Sequence, residues 1–510
     1  GGTINSSSEY WVGVDSITTN AINNISGTSS LNISNWVSLG RGGTANVNFS
    51  GGTFYKTGNG QFIVGDGGTC VFNQSGGATL IDDNELWIGQ AGSGSGTFNL
   101  TNGTASIGSW LAVGRESGQG VLNIYSGSMT KSGGGNISIA HNDNAHGTVN
   151  IYGGAFTNTT SETWVGENGG NTAKGTWNMY GGVAVLGVVH LANASDVQGQ
   201  MNLNGGSLTA TEISTGNNTA PQRELNLNGG TLVAGTNNAS FIHDLSAANV
   251  LTNGAIIDTA SYTAGVNQAL LGGVNGDGGL VKNGSGTLYL NGANTYTNLT
   301  QVNAGALGGT GTIMGPVTVA SGARLSPGTT AIGTLTINNS LSLSSGSSTM
   351  VKISMDGGAT NDMVGGLSSV SYNGTLVVTN AGSSPLVNGA QFQLFNAAGH
   401  GGNFANAASV TILPAGKGSF DPATGKLTIT SSGTVVFNPV RVSGNNLILT
   451  GNGGAAPGSA YTLLMSTNVA TSLSMWETNT TGVLDGSGMF SNSIPINALD
   501  QARFFDVRVP

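Results

Sequence analysis

The densest set of ligand-type side chains is His141-Asn142-Asp143-Asn144-Ala145-His146. Imidazole and carboxylate bind metals, but a metal site wants three or four converging donors. Two histidines five residues apart, where comparable segments carry Gly and Ser, read as a solvated turn. Asp82-Asp83 is the one adjacent acidic pair in the sequence. Paired carboxylates could serve acid–base chemistry on a polysaccharide. Strand neighbours point to opposite faces, however, so this pair is expected at a corner. Val274-Asn275-Gly276-Asp277-Gly278 has the composition of a Ca²⁺-binding turn. It lacks the nine-residue repetition that gives such sites shared ligands and reads as a structural turn. Cys70 stands between Thr69 and Val71; with no basic neighbour it reads as a small buried apolar group. No nucleophile elbow, phosphate loop or paired zinc motif occurs, so no catalytic residue, metal or cofactor is expected.

Five tryptophans share a pattern. Trp11, Trp87 and Trp164 lie two residues before a glycine, and Trp36 and Trp110 lie four before one. Two and four share a strand face, which predicts an aromatic stripe. An exposed stripe would be a sugar-stacking platform. A buried one would be a core ladder, and that is the expectation, because same-parity neighbours are apolar and Trp burial is strongly stabilising.

The elements carrying these residues are constrained by composition. Glycine supplies 87 of 510 residues, and charged residues are 7%, against roughly 25% in an ordinary domain. Ten prolines, with glycine not at every third position, exclude collagen. A hydrophobic fraction of 38% excludes a disordered chain. A net charge of −9 argues against nucleic acid as partner. No apolar run reaches the ~18 residues of a membrane helix, and one cysteine excludes an internal disulfide. The start at Gly1-Gly2-Thr3 is read as a product of export-signal removal.

A repeat organises the chain. Asn-x-x-Gly-Gly or a variant begins at Asn24, Asn48, Asn73, Asn99, Asn123, Asn150, Asn178, Asn202 and Asn226, a mean spacing of about 25 residues. Each unit reads as three short strands separated by glycine turns. Such a unit cannot bury its own apolar face, but stacked copies can. The expectation is an all-β, right-handed parallel β-helix, with a structural ladder at Asn48, Asn73, Asn99, Asn123, Asn150, Asn178, Asn202 and Asn226. Regular solenoid is expected over 1–235, a less regular continuation over 236–436, and a small β-sandwich-like C-terminal domain over 437–510.

Residues 278–307 contain Gly284-Ser285-Gly286-Thr287-Leu288-Tyr289-Leu290 and Asn294-Thr295-Tyr296-Thr297. This stretch resembles the autotransporter-associated β-strand repeat. It departs at Asn298-Leu299, where that pattern usually has glycine. The resemblance implies a parallel β-helix exported through a diderm envelope, secreted or held at the cell surface. The 74 residues after 436 are too few for a membrane barrel of a dozen or so strands of ~10 residues. The end of the chain, with Tyr461, Trp476 and Arg503-Phe504-Phe505, is similar to a small C-terminal domain of large secreted bacterial repeat proteins. The expected role is a non-catalytic surface fibre or scaffold that pairs with copies of itself head to tail. The alternatives are an adhesin that binds surface glycans and a polysaccharide-active enzyme.

Overall fold

A computed structural model describes the chain except residues 16–19, 159, 169–171, 218, 358–359, 415, 432–434, 456, 497–501 and 510. Two compact units are present, Gly1–Val317 and Thr318–Pro510.

The first unit is a parallel β-solenoid. One coil is Thr44–Phe49, Thr53–Lys56 and Phe62–Asp66. In Thr44–Phe49 the alternation sends Ala45, Val47 and Phe49 inward and leaves Thr44, Asn46 and Asn48 outward. Each strand pairs in parallel with its counterparts one coil earlier and later, giving three faces. The asparagine face is an 11-stranded parallel sheet. Gly51-Gly52 turns the chain to the next face, and Gly52 takes φ +83°, a left-handed value that other residues resist. Aromatic rings fill the early core: Phe62–Phe72 and Phe72–Phe98 centroids lie 5.7 and 4.8 Å apart.

Coil length is not constant. Asn202 pairs with Asn226, and Asn226 with Asn249. Leu280 then pairs with Thr300, only 20 positions on. The asparagine-face sheet ends at Leu270–Gly272, and the next strand, Ala293–Asn294, begins a separate five-stranded sheet. The spacing is still 25 from Ala255 to Leu280 and 24 from Thr263 to Thr287, and drops to 20 only beyond Leu280.

Inward strand ends carry lysine at three places. Lys56, Lys131 and Lys282 are buried, and carbonyls cage each ammonium. Lys282 Nζ donates to the carbonyls of Asn283, Gly284 and Ala304 at 2.7, 2.8 and 3.0 Å, and to Thr259 Oγ1 at 2.8 Å. Lys131 reaches the carbonyls of Gly133, Gly134 and Gly135 and the Ser161 hydroxyl. These bonds give each buried ammonium the acceptors that its burial demands.

The second unit begins with further parallel coils. Ser348–Ser354 pairs with Thr375–Asn380, and Ser340–Leu343 with Ser369–Tyr372. Asp362 is fully buried there, its Oδ2 2.7 Å from Lys352 Nζ. Lys417–Asp421 and Lys426–Ser431 then pair antiparallel. Two antiparallel sheets close the chain. One joins Val436–Phe437, Arg441–Ser443, Asn446–Asn452 and Met489–Pro495; the other joins Ala460–Ser466, Glu477–Val483 and Phe504–Arg508. Leu449, Phe490 and Ile494 from the first share a core with Tyr461, Leu463 and Val507 from the second, as in a β-sandwich. Among the described residues no helix is long and apolar enough to cross a membrane.

Candidate functional site

The face that carries the tryptophans differs from the other two. Its strands are buried on both sides: Leu86–Gln90 is buried at every position, and Phe62–Asp66 at all but the last. Inward residues such as Leu86 and Ile88 meet the solenoid core. Outward residues lie under a second layer of side chains.

That layer is built from three rows running coil to coil. The central row is Trp11, Ser38, Ile63, Trp87, Ala112, Ser138, Trp164 and His190, paired in register. Two positions earlier stands a flanking row of Glu9, Trp36, Gln61, Glu85, Trp110, Asn136 and Glu162. Size alternates between the two rows. Where the central residue is Trp87 or Trp164, the flanking residue is Glu85 or Glu162, and its carboxylate accepts the indole N–H at 2.9 or 3.1 Å. Where the central residue is Ser38 or Ala112, a flanking Trp36 or Trp110 takes the space. Trp36 and Trp110 pack edge-on against Trp87, at centroid distances of 6.0 and 6.1 Å.

The third row is Asp66, Gln90, Arg115, His141 and Glu167. The residue before each has left-handed φ, +73° at Gly89 and +74° at Gly114. That twist turns the following side chain to the outer side, onto the tryptophans. A Cβ at Gly89 would meet the Gln119 carbonyl at 2.0 Å. Arg115 lies over the Trp87 ring at 4.2 Å and also bonds Gln90 and Glu116. Arg41 lies over Trp11 at 4.0 Å and pairs with Glu9 at 3.1 Å. His141 packs on Trp110, its Nδ1 3.3 Å from Glu167 Oε2. His190 stacks on Trp164 at 4.2 Å; burial holds its imidazole below the ordinary range, against the pull of Glu162 and Glu212.

The core expectation for the tryptophans is therefore corrected. Trp11 is 45% exposed, and Trp87, though buried, is covered by Trp36, Trp110 and Arg115 rather than by the solenoid interior. The apolar parity that pointed to the core, Ile63 and Ala112, belongs to this outer layer. His141 is also corrected: it joins the third row, while exposed His146 begins the asparagine-face strand His146–Ile151. The two imidazoles do not converge. Among the described residues no three His, Cys, Asp or Glu side chains are grouped to hold a metal.

Other sequence-derived residues take structural places. Asparagines 24, 48, 73, 99, 123, 150, 178, 202, 226 and 249 stand in one outward row, and from Asn48 onward each Nδ2 donates to the Oδ1 one coil earlier at 2.7–3.1 Å. Asp82 and Asp83 are exposed at a corner, where Tyr55 donates to Asp82 at 3.0 Å. The Asp277 carboxylate accepts from the backbone N–H of Gly279, Thr297 and Asn298 and from the Thr297 hydroxyl, which holds it below the usual carboxylate range against its burial. Four donors on one carboxylate make a hydrogen-bonded corner. Cys70 is buried, which pushes its thiol up to about 12.

Besides the third row, a row of tyrosines escaped the sequence reading. Tyr125, Tyr152 and Tyr180 stack nearly parallel, with centroids 4.9 and 5.0 Å apart, each more than 40% exposed. The signal was the position two after each ladder asparagine. The rings cover one another's faces, so the row presents edges and hydroxyls.

The passenger-associated-transport-repeat family model matches residues 280–308. Within that match Asn294 and Tyr296 are fully buried, and the Tyr296 hydroxyl bonds Thr300 Oγ1 at 2.7 Å. The chain is also similar to a protein named "Adhesin BmaC autotransporter" from Brucella suis biovar 1 (strain 1330). The two are 43% identical over 98 residues, which is 18% of this chain and 3% of that protein. With the solenoid, these matches fit an autotransporter passenger-type β-helix and point to a cell-surface or secreted protein.

Proposed function

We propose that the chain is a non-catalytic surface adhesin whose contact surface is the tryptophan ridge. One observation carries this reading: five tryptophans and their polar partners form a layer outside the core. The solenoid already buries Leu86, Ile88, Leu111 and Val113 on its inner side. Aromatic residues and Arg are the types enriched at the energetic centres of interfaces. In-register pairing of the coils and edge-on ring contacts hold the indoles in fixed positions, which lowers the ordering cost of binding. The ridge carboxylates are engaged: Glu85 and Glu162 with indoles, Glu116 with Arg115, and Glu167 with His141 and Ser138. That supports contact rather than acid–base chemistry. The similarity to a protein named as an adhesin supports the same reading.

The test is retention under flow of beads coated with the chain, on epithelial monolayers and on mucin-coated glass. The chain is expected to hold beads on at least one surface, and a Trp11→Ser/Trp36→Ser/Trp110→Ser variant to lose most of that retention. Equal retention by the variant would overturn the assignment of the ridge. End-to-end self-assembly into a filament is the second reading. What supports it is the in-register parallel pairing on all three faces, which a coil from a second copy could extend. Electron microscopy across a dilution series tests it: filaments with a one-subunit repeat are expected, and isolated particles at every concentration would contradict it.

A further inference from the structure

We infer that the hollow beside Trp36 and Trp87 in the ridge is a binding subsite for a neutral saccharide; this inference rests on the adhesive reading above. The coil of Ile63 carries neither a central nor a flanking tryptophan: Gln61 and Ile63 stand where its neighbours have Trp36 and Trp87. Trp36 and Trp87 lean together over Ile63, which is 1% exposed, and beside them lies an open space of about 380 Å³, within the range of small-ligand sites. Trp36 and Trp87 meet there with ring planes at 74° and centroids 6.0 Å apart. They make an L-shaped apolar wall, with Ile63 alongside and Glu9, Arg41, Asp66 and Gln90 completing the lining.

The chemistry of that lining selects the ligand class. A pyranose has a C–H face that packs on an aromatic ring and a rim of hydroxyls that both donate and accept. The lining offers carboxylate acceptors, a guanidinium donor and an amide with both functions. Gln90 is held in place: its Nε2 donates to Glu116 at 2.9 Å and its Oε1 accepts from Arg115 at 2.8 Å. Asp66 Oδ2 accepts one bond, from the Ser38 hydroxyl at 2.6 Å, which leaves carboxylate capacity for a sugar hydroxyl. Glu9 and Arg41 neutralise one another and are 37% and 44% exposed at the side chain, so a ligand can reach them. The surplus charge is the Asp66 carboxylate, which disfavours a sialylated glycan and favours a neutral one.

The test is titration of the full chain with cellotetraose, laminaritetraose, tri-N-acetylchitotriose, 3′-sialyllactose and tetralysine. Binding is read by tryptophan fluorescence and calorimetry. At least one neutral oligosaccharide is expected to saturate in the wild type at or below about 10 mM. Trp36→Ala and the near-isosteric Asp66→Asn should each weaken it about tenfold or more, while Tyr152→Ala, in the stacked tyrosine row, should leave it unchanged. Circular dichroism checks that each variant is folded. No saturation by any neutral sugar, equal affinity for Asp66→Asn and wild type, or binding of tetralysine alone would overturn the subsite. Bead retention by a wild-type chain that binds no sugar would remove the subsite and leave the adhesive reading standing. Failure of retention would remove the adhesive reading.

Discussion

Ala112 occupies the central-row position that Trp87 and Trp164 hold in their own coils, and its small size is what lets Trp110 lie across the face. Enlarging it forces Trp110 and Arg115 to move. Ala112→Leu is expected to destabilise by about 1–3 kcal/mol, read by urea unfolding; an unchanged midpoint would show that the outer layer is loose. In the asparagine row, Asn123 both donates to Asn99 and accepts from Asn150, whereas Asn249 donates to Asn226 and faces Leu271 on the other side. Asn123→Ala is expected to cost about 1–2 kcal/mol and Asn249→Ala about half of that. Equal effects would mean that the row is not acting as a ladder. The tryptophan pattern was visible in the sequence, but its side was not. Same-parity apolar residues normally mark the core; here Ile63 and Ala112 are apolar because a second layer covers them. The third row was invisible for another reason. A left-handed residue such as Gly89 breaks the two-residue alternation, so Gln90 and Arg115 reach the outer side against parity counting.

At the scale of the coil, the spacing of asparagines and glycines was enough to place three strands per turn, because in-register stacking forces similar residues above one another. It failed where the coil shortened to 20 residues around Leu280 and Thr300, since a shorter corner changes the spacing without changing the architecture. Two elements make testable claims. Burial depresses the Lys56 and Lys282 ammonium groups to about 8 from an ordinary 10.5. Between those values the unfolded chain holds protons that the folded chain has released, so stability rises with pH across that window. Chemical unfolding at pH 8 and pH 10 should show this rise, and a Lys56→Met/Lys282→Met variant should flatten it; a fall with pH in the wild type would contradict the burial argument. The corner at Asp277 makes the second claim. Its carboxylate is saturated by donors from Gly279, Thr297 and Asn298, so EDTA should leave the melting temperature unchanged, while Asp277→Ala should lower it. A drop of several degrees with EDTA would reveal a cation at that corner.

For the whole molecule, composition and repeat length pointed to a β-solenoid because sparse charge and abundant glycine suit stacked strands and tight corners. They did not reveal a binding face, since the rows that make it become neighbours only through coil register. The match at residues 280–308 and the 98-residue similarity fit a passenger-type β-helix, and the solenoid carries two outward aromatic rows on different faces. On the adhesive reading, contact falls to the tryptophan row and the stacked tyrosines keep a structural role. Hydroxyl-radical footprinting of the chain, free and bound to epithelial membranes or mucin, separates the two directly. Mass spectrometry should show protection of Trp11, Trp36 and Trp110 on binding, with Tyr125, Tyr152 and Tyr180 labelled equally in both states. Protection of the tyrosines with the tryptophans unchanged would contradict the account.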